Sequence, residues 1–309
     1  MKYYVGFDIG GTTIKHGVVD EKGQIIVQSA TETPEQRDEF ITELADIIRD
    51  YQHDYQIEAV GVCSPGIVQK DGYLLTAGAI KCLYGVNLKH ELENRVGLTV
   101  TVENDANAAA IAEHWLGAAI GIDNYLCLVV GTGFGGGIVI NGQIYRGGHG
   151  MAGEFGWMLT KDLDFTEDIE KKSLNVTSAV VGGLCYQYSQ AKKQVQPDLK
   201  TIKDARIIFR AAHEGEKLAQ MILNQFYYNL ATGIVDLTAS FDPELILVGG
   251  GISANSEFIE NLQYAVDDLE TRHQSIHAVK ETAIAPVKPA KLLNNAGLIG
   301  AVYQIFHKN

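Results

Sequence analysis

Thr101-Val-Glu-Asn104-Asp105-Ala-Asn107-Ala-Ala-Ala-Ile-Ala-Glu113 is the stretch whose reading decides the fold. The run before it, Leu98 to Val102, has the β-branched, apolar composition of a strand. The strand breaks at Asn104-Asp105, and the alanine-rich run that follows predicts a helix stopping at Gly117. α/β proteins collect ligands at such junctions, outside the carboxyl ends of parallel strands. Asn or Asp there can also simply cap the helix, accepting hydrogen bonds from its first N–H groups. Asp105 fits either role on its own, so the rest of the chain must decide.

Upstream, Tyr3 to Phe7 reads as a strand, Asp8-Ile-Gly10-Gly11-Thr12-Thr13 as a tight turn, and Ile14 to Val19 as the returning strand. A turn at Glu21-Lys-Gly-Gln24 and a strand over Ile25 to Ser29 complete three hairpin-linked strands. Thr33-Pro34-Glu35-Gln36 predicts a helix start, with Thr33 as cap and Pro34 in the first turn. Phe40, Ile41, Leu44, Ile47, Ile48 and Tyr51 then share one helical face. Ile57 to Val62 reads as a strand ending in the loop Ser64-Pro65-Gly66, and Leu88 to Val96 as a helix stopped by Gly97.

Downstream, the opening pattern repeats. Tyr125 to Val130 enters Gly131-Thr132-Gly133, Gly137 to Ile140 returns, and Asn141-Gly-Gln-Ile144 turns. Two similar halves with a cleft between them are therefore expected. Arg146 to Met158 is glycine-rich and carries His149, read as a surface-loop residue, and Glu154. Residues 161–173 read as a charged surface excursion, and Asn175 to Gln190 as helical despite Gly182-Gly183. Two helices over 204–240 precede a buried strand, Glu244 to Val248, which ends in Gly249-Gly250-Gly251 before a further helix. Ala278 to Ala285 reads as a strand, and Asn294 to Phe306 as a closing helix that buries Leu298, Val302 and Ile305 together.

A chain of 309 residues with 46% hydrophobic content can build two domains with sizeable cores. Its net charge of −13 argues against nucleic acid as a partner, because phosphate backbones need clustered Lys and Arg. The four cysteines, Cys63, Cys82, Cys127 and Cys185, form no Cys-x-x-Cys pair. Free thiols in apolar stretches suit a reducing cytoplasm. No signal region opens the chain, and no apolar run is long enough to span a membrane.

The glycine turns have a chemical reading. An anion is held by N–H groups converging on it, and glycine lets the backbone take that shape and approach closely. Gly10, Gly11, Thr12 and Thr13, and then Gly131, Thr132 and Gly133, are expected to hold phosphates. Asp8 is the odd member, since a carboxylate repels phosphate. It makes sense beside Mg²⁺ that retains its waters. Gly250 and Gly251 could receive a nucleotide at a helix N-terminus. Gly131-x-Gly133-x-x-Gly136 also matches a dinucleotide fingerprint, the basis for an NAD-dependent dehydrogenase, but that motif must open a helix and this one reads into a strand. Asp105 could take the proton of a sugar hydroxyl that attacks a terminal phosphoryl group, with Asn104 and Glu154 on neighbouring hydroxyls.

Taken together, the chain resembles the ROK family of sugar kinases and related repressors. The motifs recur in the family's order: Asp8-Ile-Gly-Gly-Thr12, Glu103-Asn-Asp105-Ala-Asn107, Gly131-Thr-Gly133-x-Gly135-Gly-Gly, Ala152-Gly-Glu154-Phe-Gly156, Val248-Gly-Gly-Gly-Ile252 and Ala296-Gly-Leu-Ile-Gly-Ala301. The resemblance implies an actin-like ATPase (ribonuclease H-like) α/β fold with ATP and Mg²⁺ as cofactors. Asp105 matches the catalytic base, and the sugar-binding set is Asn104, Glu154, Gly66 and Asn175. One domain is expected over 1–117 plus 295–309, and the other over 118–294. Family members with zinc have a His where this chain has Trp157, and a cysteine motif that it lacks, so no zinc site is expected. Asn175 stands where such members have a Glu near the anomeric carbon of the sugar. The chain is in this respect similar to the zinc-free β-glucoside kinases. The resemblance implies phosphorylation of the 6-hydroxyl of a β-glucoside such as cellobiose, with N-acetylmannosamine or glucose as alternative substrates, by a cytoplasmic homodimer. A ROK-type repressor would need a DNA-binding helix-turn-helix ahead of the first strand, and the charge is wrong for one.

Overall fold

The computed structural model describes residues 1–306 apart from Asp162, Phe165 and Glu167. The charged excursion expected over 161–173 therefore falls partly outside the described residues, as do positions 307–309 of the closing segment. The chain forms two compact units. The first is Met1–Asp123 with Gly137–Gly153 and Asn294–Asn309; the second is Asn124–Gly136 with Glu154–Leu293.

The first unit opens with β1 (Tyr3–Ile9), β2 (Thr13–Asp20) and β3 (Ile25–Glu32), linked as antiparallel hairpins. Helix α1 (Arg37–Asp54) leads to β4 (Ile57–Ser64), which pairs with β1 in parallel. A short ribbon, β5 (Tyr73–Leu74) and β6 (Val86–Asn87), precedes α2 (Leu88–Val96). β7 (Thr99–Asn104) then joins β4 in parallel and runs into α3 (Asp105–Leu116). The sheet order is β3-β2-β1-β4-β7.

Alternation along β1 decides the layers. Val5, Phe7 and Ile9 join a core with Phe40, Ile41, Leu44 and Ile48 of α1 and with Leu88 and Leu92 of α2. Tyr4 faces the other way and packs with Leu298, Val302 and Ile305 of the closing helix. That helix lies unusually close. A Cβ on Gly61 would stand 2.1 Å from the Ala301 carbonyl oxygen, and one on Gly300 would stand 1.8 Å from that of Ala108. Glycine at both positions lets the backbones touch, which larger side chains would forbid.

The second unit contains β8 (Tyr125–Val130) and the start of β9 (Phe134–Ile140), which continues into β10 (Gln143–Ile144). Short α4 (Leu174–Thr177) and α5 (Tyr186–Lys193) flank a π-helical turn, Val180–Cys185. Helices α6 (Ala205–His213) and α7 (Lys217–Phe241) lead to β11 (Leu245–Gly249), α8 (Ser256–Arg272), α9 (Gln274–His277), α10 (Lys280–Ala283) and β12 (Val287–Pro289). The chain returns to the first unit as α11 (Ala296–Phe306). The second sheet runs β10-β9-β8-β11-β12. Strand for strand, this is the topology of the first sheet: an antiparallel meander followed by two parallel strands. Gly137–Gly153 groups with the first unit because the Gly137 backbone lies against Ala106 and Ala110 of α3. No described helix is long and apolar enough to cross a membrane.

Four expectations are corrected. α1 starts at Arg37, not after Thr33, because the Thr33 hydroxyl donates to the Gly10 carbonyl (2.7 Å) and caps nothing. The 175–190 helix is broken, because the Val180 and Gly182 N–H groups donate to the Gly131 and Thr132 carbonyls (2.8 and 3.2 Å). Ala278 to Ala285 holds α10 rather than a strand; the strand begins at Val287, where it can pair with Ile246. Gly249–Gly251 leads into a short 3-10 turn, Gly251–Ala254, and the helix beyond starts at Ser256 under the cap of Asn255.

Candidate active site

In the first unit the candidate residues gather at the carboxyl ends of the parallel strands. Asp8 is the next-to-last residue of β1, Ser64 ends β4, and Asn104 ends β7. Asn104, not Asp105, caps α3: its Oδ1 accepts from the N–H groups of Ala106 (2.9 Å) and Asn107 (3.0 Å). Its Nδ2 donates to the Gly66 carbonyl (2.9 Å), so one amide hydrogen is left for a ligand. Gly66 has φ +89°, and a Cβ there would stand 2.6 Å from the Thr76 carbonyl oxygen.

Asp105 is thereby released from the capping role. Its Oδ1 accepts from Ala106 N–H (2.8 Å). Burial, and next the charge of Asp8, raise its carboxyl to about 6, against the opposing pull of these hydrogen bonds. A base near that value is ionised at neutral pH yet still binds a proton usefully.

Asp8 has two further neighbours. The Lys15 ammonium lies 3.2 Å from Oδ2, and the Cys63 thiol donates to Oδ1 at 3.4 Å. Burial, then Asp8 and Asp105, hold that thiol well above its ordinary range, so it stays neutral. Beside Asp8, the turn is closed by Gly10 N–H donating to the Thr13 carbonyl (3.0 Å), and Gly11, Thr12 and Thr13 are exposed. One carboxylate next to an open backbone turn is the donor set Mg²⁺ takes when it keeps its waters and draws other ligands from phosphates. Lys15 gives Asp8 a positive partner of the protein's own.

The second unit builds its loops from backbone. Thr132 and Gly133 are exposed, while the carbonyls of Gly131 and Thr132 are tied to residues 180–182. Asn175 Oδ1 accepts from Phe134 N–H (2.9 Å), which fixes the end of the turn. β9 follows the turn directly, so the dinucleotide fingerprint lacks the helix it requires. Gly250 has φ +88°, and a Cβ there would stand 2.3 Å from the Val130 carbonyl oxygen; only glycine fits. Gly251 beside it is exposed. Glu154 is half-buried at the start of a 3-10 turn, Phe155–Trp157, while Trp157 is exposed, as is His149 in the first unit.

Sequence reasoning missed Lys15, Arg146 and Gln304 and gave Thr33 the wrong partner; their contacts reach well along the chain, 201 positions from Gln304 to Glu103 and 279 from Lys15 to the Asn294 carbonyl. Only the alternation that puts Lys15 opposite Asp8 in the first hairpin was readable.

The ROK family model matches residues 4–308. A β-glucoside kinase of Listeria innocua is 36% identical over 304 residues, covering 98% of this chain and 97% of the relative. Among solved structures, a proposed N-acetylmannosamine kinase of Listeria monocytogenes superposes with a TM-score of 0.85 at 33% identity, covering 98% of both chains. A ROK glucokinase of Streptomyces griseus, in complex with glucose and AMPPNP, gives a TM-score of 0.78 at 29% identity, covering 97% of both. The chain belongs to the ROK family and has the actin-like α/β fold its motifs imply.

Proposed function

We propose that this protein is an ATP-dependent sugar kinase that phosphorylates the 6-hydroxyl of β-glucosides such as cellobiose. The observation that carries the reading is Asp105: Asn104 does the capping, and a carboxyl raised to about 6 remains beside it. Asp105 accepts the proton of the sugar hydroxyl as its oxygen attacks the terminal phosphorus, and ADP leaves. Oδ1 is held by Ala106, so Oδ2 takes the proton. Phosphoryl transfer depends mainly on positioning and charge, so one well-placed base suffices. Asn104, Gly66, Glu154 and Asn175 are assigned to the sugar. Gly10, Gly11, Thr12, Thr13, Gly131, Thr132 and Gly133 are assigned to the phosphates, and Gly250 and Gly251 to the nucleoside. Mg²⁺, held by Asp8 through water, would supply charge neutralisation on the phosphate oxygens.

The β-glucoside choice rests on Asn175, whose side chain is shorter than a Glu and leaves the anomeric side of the sugar less enclosed, on Trp157 as the mark of the zinc-free members, and on the 36% identical relative. N-acetylmannosamine and glucose are the competing substrates, each suggested by a solved relative. We further assign the protein to the cytoplasm as a homodimer, in keeping with its four free thiols for the first and with its family for the second.

ADP release with Mg·ATP over cellobiose, gentiobiose, an aryl β-glucoside, glucose and N-acetylmannosamine tests the assignment. The β-glucosides are expected to give the highest kcat/KM. A free monosaccharide in first place would keep the kinase and remove the anomeric argument, and no ADP with any sugar would remove the kinase.

A further inference from the structure

Glu103 stands immediately before Asn104 and Asp105, and its side chain is 4% exposed. Its two oxygens are met by donors. Oε1 accepts from Asn104 N–H and Asn107 Nδ2, both at 3.0 Å. Oε2 accepts from Arg146 Nε (2.9 Å), Arg146 Nη2 (2.6 Å) and Gln304 Nε2 (2.8 Å). Arg146 Nη2 also reaches Gln304 Oε1 at 3.5 Å. One buried carboxylate thus ties together the end of β7, the first turn of α3, the start of the glycine-rich segment that leads to Glu154, and α11. All these groups lie in the first unit.

We propose that Glu103 is the positioning residue of the phosphoryl-transfer site: it sets where Asn104 and Asp105 stand, with Arg146 and Gln304 as its clamp. The proposal rests on the reading of Asp105 as base. Its physical basis is the donor-only surroundings. A glutamine has the same shape but turns an NH₂ toward donors whichever way its amide lies. Asn107 could reverse its own amide, since its Oδ1 is buried without a partner. The Asn104 backbone N–H and the Arg146 guanidinium cannot reverse. Glu103→Gln therefore leaves a donor facing a donor at one end, with Arg146 no longer paired, and the Asn104 backbone is free to shift. Reacting groups displaced by about 1 Å can lose 10²-fold in rate.

The test compares wild type, Glu103→Gln, Arg146→Gln, Arg146→Lys, the double variant Glu103→Gln/Arg146→Gln and Asp105→Asn. Turnover with Mg·ATP and cellobiose is measured per folded molecule, and sugar affinity by calorimetry. Glu103→Gln is expected to lower kcat about ten- to a hundredfold, with the KM for ATP changed no more than about twofold. Sugar affinity, acting through Asn104, should weaken about tenfold. Arg146→Lys, which keeps the charge and loses the two-pronged contact, should lose about threefold. The double variant should be no worse than Glu103→Gln alone, because the two residues act as one unit. Folded Glu103→Gln with unchanged kcat and sugar affinity, and only a lower Tm, would overturn the proposal; so would single-variant losses that multiply. Normal turnover by Asp105→Asn removes the base reading by itself, and the calorimetric affinity of Glu103→Gln then decides the positioning role.

Discussion

Each unit carries a glycine turn between the first two strands of its sheet, and the two turns are held by different means. The turn at Gly10 to Thr13 closes on itself and is pinned from behind by Thr33, whose hydroxyl donates to the Gly10 carbonyl and whose N–H donates to that of Thr12. Charged groups stand around it: Asp8, Lys15 and, at the start of α3, Asp105, whose carboxyl feels the charge of Asp8. The turn at Gly131 to Gly133 is held by backbone and amide groups instead. It too closes on itself, Gly131 N–H donating to the Gly133 carbonyl (2.9 Å), but the carbonyls of Gly131 and Thr132 are tied to residues 180–182, and the Phe134 N–H that ends it is tied to Asn175. The same strand topology supports both. What differs is the chemistry: the first unit offers charge and a carboxyl raised to about 6, which we propose as the base, and the second an oriented backbone. Charge changes should therefore register in turnover for the first unit, and packing changes in nucleotide affinity for the second.

The largest expected effect is in the first unit. Asp105→Asn should lower kcat about 10²–10⁴-fold while ATP binding is kept. The same variant should be more stable at neutral pH. Between the ordinary carboxylate value of 3.8 and about 6, the unfolded chain has released the proton that the folded chain keeps, so this group's contribution to stability falls as pH rises across that window. Removing a half-buried charge of this kind should raise stability by about 1 kcal/mol at pH 7, read as a higher Tm. An unstable Asp105→Asn would show that the carboxylate supports the fold, and the contrast between the units would lose its basis.

Next comes the second turn. Asn175→Ala removes the acceptor for Phe134 N–H, a loss of about 1–3 kcal/mol for an unsatisfied backbone donor. The KM for ATP should rise about tenfold with a smaller change in kcat. A change confined to sugar KM would place Asn175 on the substrate alone and remove its supporting role for the turn. The smallest effect belongs to Thr33→Val, which deletes one hydrogen bond of about 1 kcal/mol. An increase of about threefold in the KM for ATP, with kcat unchanged, would match a pin behind the first turn.

The strand and turn plan of the first sheet, and of β8, β9 and β11 in the second, was legible in the sequence because alternating apolar residues and glycine turns are local signals; β12 was not, and the segment expected as a strand, Ala278 to Ala285, holds α10 instead. Gly97, Gly117 and the helical face of Phe40, Ile41, Leu44 and Ile48 were read for the same reason. Thr33 shows where local reading stops. Thr-Pro before a helix has every mark of a cap, yet a partner 23 residues away takes the hydroxyl. The break after α4 has the same origin, since the N–H groups of Val180 and Gly182 find their carbonyls far upstream, at Gly131 and Thr132. At the site, the residue types were legible and their division of labour was not. Asn104 and Asp105 both looked like caps, and only the positions of the Ala106 and Asn107 N–H groups show that Asn104 is one. Glu103 was read only as part of a motif, because its partners Arg146 and Gln304 lie 43 and 201 positions away.

The most direct test of the central claim is kcat/KM for cellobiose against pH, for wild type and Asp105→Asn. The account predicts an acid limb in the wild type with an apparent pKa near 6, because protonated Asp105 cannot accept the sugar proton, and the loss of that limb in the residual activity of the variant. An activity that stays level well below that pH, or a limb that survives unchanged in Asp105→Asn, would contradict the assignment of Asp105 as the base.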